Sequence, residues 1–219
     1  MVTRGISNAA EVCTLNVRIA AWSMLAGAAD LIGYNRYFGW YMPQHLDARA
    51  QASAEFDRLH AKHPALPISV SEYGAGGAIS QHSDNVRSGF LNFMGRPQPE
   101  EYESFVHEEN WPAIQSRKFV FASWVWNMFD FVSDLRKEGD SIDINTKGLV
   151  TFDRKTRKDA FYYYKAQWNP EPMIWLTGKR HTDRPYPLMD VRAYTNGERA
   201  QLRMNGAVVG AADCPDGVC

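Results

Sequence analysis

The sequence predicts an α/β fold: a parallel sheet with crossover helices over residues 1–172, then the start of a β-sandwich over 173–219. Three observations predict it. β-like runs alternate with helical stretches, the pattern of a parallel sheet joined by helices. Two loops, Gly74 to Gln98 and Asp130 to Arg157, are longer than a connector needs and both follow strand ends. After residue 172 helical periodicity stops, and short alternating runs are separated by Asn-Gly turns.

The elements follow in order. "AEVCTLNVRIAAWSML" has helical character and precedes a strand at Leu31–Tyr37. Leu46–Lys62 is an amphipathic helix with Leu46, Ala50, Ala54 and Leu59 on its apolar side. "PISVSEY" (67–73) is the next strand. "PEEYESFVHEENWPAIQSR" is the next helix, with Pro99 and acids in its first turn. "KFVFASWVWNMF" is nearly all apolar, as expected of a strand covered on both faces. "KDAFYYYKAQWN" closes the region as a helix. In the tail, Val191–Tyr194 and Ala200–Met204 alternate, and "TNGE" and "MNGA" are hairpin signals.

Composition excludes several classes. With 219 residues, 45% hydrophobic and 22% charged, the chain is globular. A net charge of −1 argues against a basic nucleic-acid surface. No apolar run reaches the ~18 residues of a membrane span, and the N-terminus lacks the apolar core of a secretory signal; the compartment stays unassigned. Six scattered His with no HExxH and no paired-Cys spacing predict no metal site. Cys13, Cys214 and Cys219 are an odd set; Cys214 and Cys219 could pair, but as two cysteines of a tail they are expected to be free thiols. Nothing suggests a redox or nucleotide cofactor.

Chemistry gathers at strand ends. Glu72 ends the strand "PISVSEY" before a glycine-rich loop, and Tyr37 and Trp126 lie at or near the ends of two other strands. In (β/α) barrels, the loops after strand C-termini carry the active site. Aromatics make up 13% of the chain, clustered at 33–41, 119–131 and 160–168. Most are core, but Trp, Tyr and Asn at strand ends also suit a sugar, whose C–H faces stack on rings.

Four stretches resemble glycoside hydrolase family two, the family of β-galactosidases, β-glucuronidases and β-mannosidases. "ADLIGYNRYFGWY" (29–41), "PISVSEYGAGG" (67–77) and "FVFASWVWNMFDF" (119–131) resemble the sixth, seventh and eighth strands of its catalytic barrel; "INTKGLVTFDRKTRKDAFYYYKAQWN" (144–169) resembles the closing loop and last helix. The tail resembles the start of the following immunoglobulin-like domain. The resemblance implies the C-terminal half of a TIM (β/α)8 barrel, since a whole barrel takes ~250 residues. It implies that Glu72 is the nucleophile of a retaining glycosidase, and that Tyr37 hydrogen-bonds it. It makes Trp126 the aromatic floor of the sugar subsite, where Trp124 is core. Asn35, Asn127, His82 and the Asn145/Lys147 pair are the further substrate-binding candidates. That pair also suits a uronic carboxylate, but the wording around it leans to β-galactosides.

The family's general acid/base, a Glu in an Asn-Glu pair, has no counterpart in the chain. Glu11, Asp84, Glu108 and Glu109 are weak substitutes, the last two expected to be solvated or capping. Weak activity is therefore expected. The alternatives are a β-glucuronidase and a carbohydrate-binding module without catalysis. Open half-barrel edges predict a homodimer or larger oligomer.

Overall fold

The computed structural model describes residues 31–41, 47–87, 89 and 91–219. The helix expected before residue 31 lies outside them. The chain divides into two compact units: residues 1–74 with 109–126, and residues 75–108 with 127–219.

The first unit is a βαβ arrangement. Strand β1 (Ile32–Asn35) leads to helix α1 (Ala48–Lys62), then strand β2 (Ile68–Tyr73); strand β3 (Val120–Val125) completes a parallel sheet of order β1-β2-β3. Asp47 starts α1 as an N-cap, its carboxylate accepting from the Ala50 amide at 2.9 Å. The buried stripe of α1 is Ala48, Ala52, Phe56 and Leu59. Ala50 and Ala54, expected on the apolar side, are exposed; Leu46 lies outside the described residues. Alanines at every second position give no phase, and Phe56, packed at 90° on Phe38, decides it. Leu59 joins Ile32, Tyr34 and Ile68 in the core beneath the sheet.

β3 departs from expectation. Phe121 is 49% and Trp124 54% exposed, so Trp124 is not core. An all-apolar strand needs cover on both faces. β3 is an edge strand of the sheet, and the described residues leave these rings in solvent.

Helix α2 (Glu100–Gln115) runs through the division of the chain, and its residues up to Glu108 belong to the second unit. There the acids expected to serve the helix dipole are buried and paired. Glu100 meets Arg180, and Glu103 lies 3.7 Å from the Lys158 ammonium. Lys158 also donates to Asp130 at 3.0 Å and to the Thr146 carbonyl at 2.8 Å. Glu108 accepts from Arg192 at 2.6 Å and Tyr194 at 2.5 Å, so it is neither solvated nor a cap.

Two short strands, β4 (Phe131–Val132) and β5 (Ile144–Asn145), pair antiparallel ahead of helix α3 (Asp159–Trp168). The tail docks on α3. Strand β6 (Ile174–Leu176) pairs with β7 (Ala193–Thr195); Trp175 stacks on Tyr162 at 3.4 Å and donates to Asp159 at 2.9 Å. Strands β8 (Arg199–Met204) and β9 (Ala207–Asp213) form the hairpin that "MNGA" signals, with Asn205 and Gly206 both at positive φ. "TNGE" makes no hairpin: Asn196 turns its amide onto the Asn169 and Glu171 carbonyls instead. Cys214 and Cys219 form a disulfide, contrary to the free thiols expected. Exchange of hydrogen bonds between Ala193 and Cys219 brings the end of the chain alongside β7.

Two stability predictions follow from the second unit. A Cβ on Gly148 would sit 1.9 Å from the Asp130 amide nitrogen and 2.2 Å from the Phe129 carbonyl carbon, both backbone atoms that cannot swing away. Gly148→Ala should cost about 3 kcal/mol or more in urea unfolding. Gly206→Ala, at φ +85° but with open space around it, should cost only about 1 kcal/mol.

His107 is buried, bonded to the Tyr164 hydroxyl at 2.8 Å, and burial followed by the nearby Lys158 charge lowers its pKa to about 3. Above its ordinary value of 6.5 the ring is neutral in both folded and unfolded chains. Below 6.5 only the unfolded chain takes the proton, so this part of the stability is lost as pH falls towards 3. The stability difference between wild type and His107→Gln should shrink by about 2 kcal/mol between pH 7 and pH 5. A difference that does not change over this range would contradict it.

Candidate active site

In the first unit, the site is set by strand register. Asn35 is opposite Glu72 at the ends of β1 and β2, and the Arg36 amide donates to the Glu72 carbonyl at 2.8 Å, carrying the pairing one residue further. The chain then turns: the Trp40 and Tyr41 amides both donate to the Tyr37 carbonyl, at 3.1 and 3.2 Å. Asn110 clamps this turn by donating to the Phe38 carbonyl at 3.0 Å. Tyr37 is thereby buried, with its hydroxyl 2.7 Å from Glu72 Oε2. The hydroxyl donates and the carboxylate accepts, which orients the carboxylate.

Asn35 is buried and accepts from the Ser71 hydroxyl at 2.7 Å. Trp126 follows β3, its amide donating to the Tyr73 carbonyl at 2.8 Å, and its ring is 36% exposed. This unit therefore joins three of the predicted residues, Asn35, Tyr37 and Glu72, through one register, and puts Trp126 at the end of the neighbouring strand. An oriented carboxylate at a strand end, with an indole partly exposed at the end of the neighbouring strand, can act as a nucleophile on a ligand with an apolar face.

The other acidic residues described in this unit are engaged elsewhere. Asp47 caps α1, Glu55 pairs with Arg36 and Arg58, Asp57 takes a double hydrogen bond from Arg117, and Glu109 accepts from the Arg49 amide.

The remaining candidates belong to the second unit. Asn127 accepts from the Phe129 amide at 2.9 Å, and its own amide donates to the Lys147 carbonyl at 2.8 Å. Asn145 is buried and accepts from the Lys147 amide at 3.0 Å, so the N-x-K pair is a compact local turn. The Lys147 ammonium is buried 3.8 Å from Glu138. His82 bonds Glu101 at 2.8 Å and lies beside His181. Of the weighed substitutes, Asp84 is held by Arg184 and Glu108 by Arg192, while Glu11 lies outside the described residues. Sequence reasoning missed Arg36, whose amide fixes the Glu72 main chain, and Asn110. It also missed the grouping of His82, Glu101 and His181, for which no spacing signal exists.

No family model matches the chain. It is 47% identical over 181 residues to a β-glucuronidase of Bacteroides fragilis, a match covering 82% of this chain and 25% of that protein. Among solved structures, it is similar to an FMN-binding β-glucuronidase of Faecalibacterium prausnitzii L2-6, with TM-score 0.75 and 39% identity over 87% of this chain and 28% of the other. It is also similar to a Bacteroides fragilis protein provisionally named a β-galactosidase, with TM-score 0.72 and 34% identity over 83% of this chain and 26% of the other. The chain thus spans about a quarter of the length of the relatives it matches.

Proposed function

We propose that this chain carries the nucleophile half of a retaining β-glycosidase site, acting on β-glucuronides. The observation that carries the reading is the 2.7 Å bond from Tyr37 to the Glu72 carboxylate at a parallel strand end. In this reading the Glu72 carboxylate attacks the anomeric carbon. The bond to the aglycone oxygen breaks, that oxygen leaves as an anion and takes its proton from solvent water, so good leaving groups react best. Water then cleaves the glycosyl ester and restores Glu72. Trp126 is the floor under the sugar, and Asn35 braces the strand end. The arrangement is the C-terminal half of a TIM barrel over residues 1–172, with an immunoglobulin-like domain beginning at 173.

The choice of glucuronide replaces the lean to galactosides drawn from the wording of the sequence. Two of the similar proteins are named β-glucuronidase, including the one at 47% identity, against one provisional β-galactosidase. Asn145 and Lys147 support the same choice by resemblance: an amide and an ammonium match a sugar carboxylate. Asn127 enters by resemblance as well. His82, whose ring nitrogen is taken up by Glu101, is left out of the sugar-binding set.

Intact-mass spectrometry after a fluoroglucuronide inactivator tests the nucleophile. One covalent adduct is expected on wild type and none on Glu72→Gln; an adduct on the variant refutes the assignment. Tyr37→Phe should label more slowly by roughly 10- to 100-fold, about the 2 kcal/mol of a hydrogen bond to a charged group. Nitrophenyl glucuronide should be turned over ahead of nitrophenyl galactoside, and Lys147→Ala should narrow that preference. Galactoside ahead of glucuronide in wild type would instead favour a β-galactosidase. Binding of glucuronic acid without an adduct would favour the non-catalytic module.

The reading extends to assembly. β1 and β3 are the edges of the described sheet, and β3 exposes large rings. Such edges recruit further strands, and a second copy related by two-fold symmetry supplies them. Light scattering should find a dimer or larger species; a well-behaved monomer at micromolar concentration would overturn this.

A further inference from the structure

We propose that His82, Glu101 and His181 form a binding site for one divalent transition-metal ion of the zinc class. The three come from separate segments of the second unit. His82 follows the glycine-rich loop after β2, Glu101 stands in the first turn of α2, and His181 lies beyond β6. Nothing in their sequence spacing suggests a metal, and the sequence reading predicted none. The fold brings one ligand atom of each residue within 4.8 Å of the other two.

The geometry centres on Glu101. Its Oε1 is 2.8 Å from His82 Nδ1 and 4.0 Å from His181 Nδ1. Adjacent donors around a tetrahedral ion with bonds of about 2.1 Å lie roughly 3.4 Å apart, so the two distances bracket what an ion requires. The carboxylate is already oriented, because its Oε2 accepts from the Ser83 amide at 3.1 Å. The two imidazole rings are stacked, within 12° of parallel with centroids 5.0 Å apart, so ligation requires them to turn about their side-chain bonds until both nitrogens face one ion.

His181 supplies the independent observation. It is only 7% exposed, yet its Nδ1 makes no hydrogen bond among the described residues. A buried ring nitrogen without a partner costs free energy, and metal ligation satisfies it. Asp84 Oδ1 stands 3.6 Å from that same nitrogen and is held by Arg184, which keeps it as a carboxylate at the edge of the site.

Two imidazoles and one carboxylate suit zinc, cobalt or nickel and disfavour calcium and magnesium, which take oxygen ligands. On binding, the ion takes the place of the proton between His82 Nδ1 and Glu101; the neutral ring then carries its one proton on Nε2, and no electron moves. Three protein ligands leave one position for water. The ion would pin the loop that follows the strand of Glu72 to the start of α2 and to residue 181, a cross-link rather than a reaction centre.

Calorimetry of the metal-stripped chain with Zn²⁺ tests this, with Co²⁺ absorption as the second readout. We expect one equivalent of Zn²⁺ bound and visible Co²⁺ bands, with no response to Ca²⁺ or Mg²⁺. His82→Ala and His181→Ala, with folding checked by circular dichroism, should each weaken Zn²⁺ binding by at least the order of 100-fold that loss of a supporting partner can cost. Absence of stoichiometric Zn²⁺ binding, equal binding of Ca²⁺, or a folded His181→Ala that binds as wild type would each overturn the proposal. If the alanine variants do not fold, the wild-type Co²⁺ spectrum decides: no visible bands would overturn it.

Discussion

The candidate site depends on one constraint, the parallel register that sets Asn35 of β1 opposite Glu72 of β2. Side chains on a strand alternate faces, so a slip of one residue would send Glu72 to the other face and separate it from Tyr37. The register is held where it matters. The Arg36 amide bonds the Glu72 carbonyl, and the Ser71 hydroxyl bonds the Asn35 carboxamide. Only with those bonds in place does the turn at 37–41 bring the phenol to the carboxylate. Register, turn and carboxylate orientation are thus consecutive consequences of one pairing.

The second unit is organised by buried charge rather than by apolar packing alone. Glu100, Glu103, Ser104, His107 and Glu108 recur at helical spacing along one face of α2 and are all buried. Burying such groups is costly unless each is paired. The partners come from far along the chain: Lys158 for Glu103, Arg180 for Glu100, Arg192 and Tyr194 for Glu108. Burial pushes Glu103 well above the usual carboxylate range although Lys158 opposes it, and raises Asp130 in the same way. These pairs explain why the tail beyond residue 172 packs on α2 and α3: it brings the cations that the buried acids require.

Where sequence reasoning went astray, it lacked a long-range fact. The alanine-rich α1 has no apolar phase until Phe56 meets Phe38. An apolar strand reads as doubly covered, but Phe121 and Trp124 are exposed because cover is a property of neighbours. Cys214 and Cys219, read as free thiols, pair across the turn at Pro215–Gly217, and the chain end is held alongside β7. "TNGE" and "MNGA" are alike as local signals, but Asn196 has the Asn169 and Glu171 carbonyls to bond, and its turn joins strands of different sheets.

The sequence by itself determined the parallel βαβ order of the first unit, which follows from alternation and helical periodicity over a few residues. The grouping of Asn35, Tyr37 and Glu72 came from family resemblance, and the register of β1 and β2 brings the same three together. Tertiary structure alone decided which helix face is buried, which acids find cations, and that His82 meets Glu101 and His181. Asp84 and Arg184 pair across 100 positions. Contacts at such separations arise from the packing of whole elements, and local propensity carries no record of them.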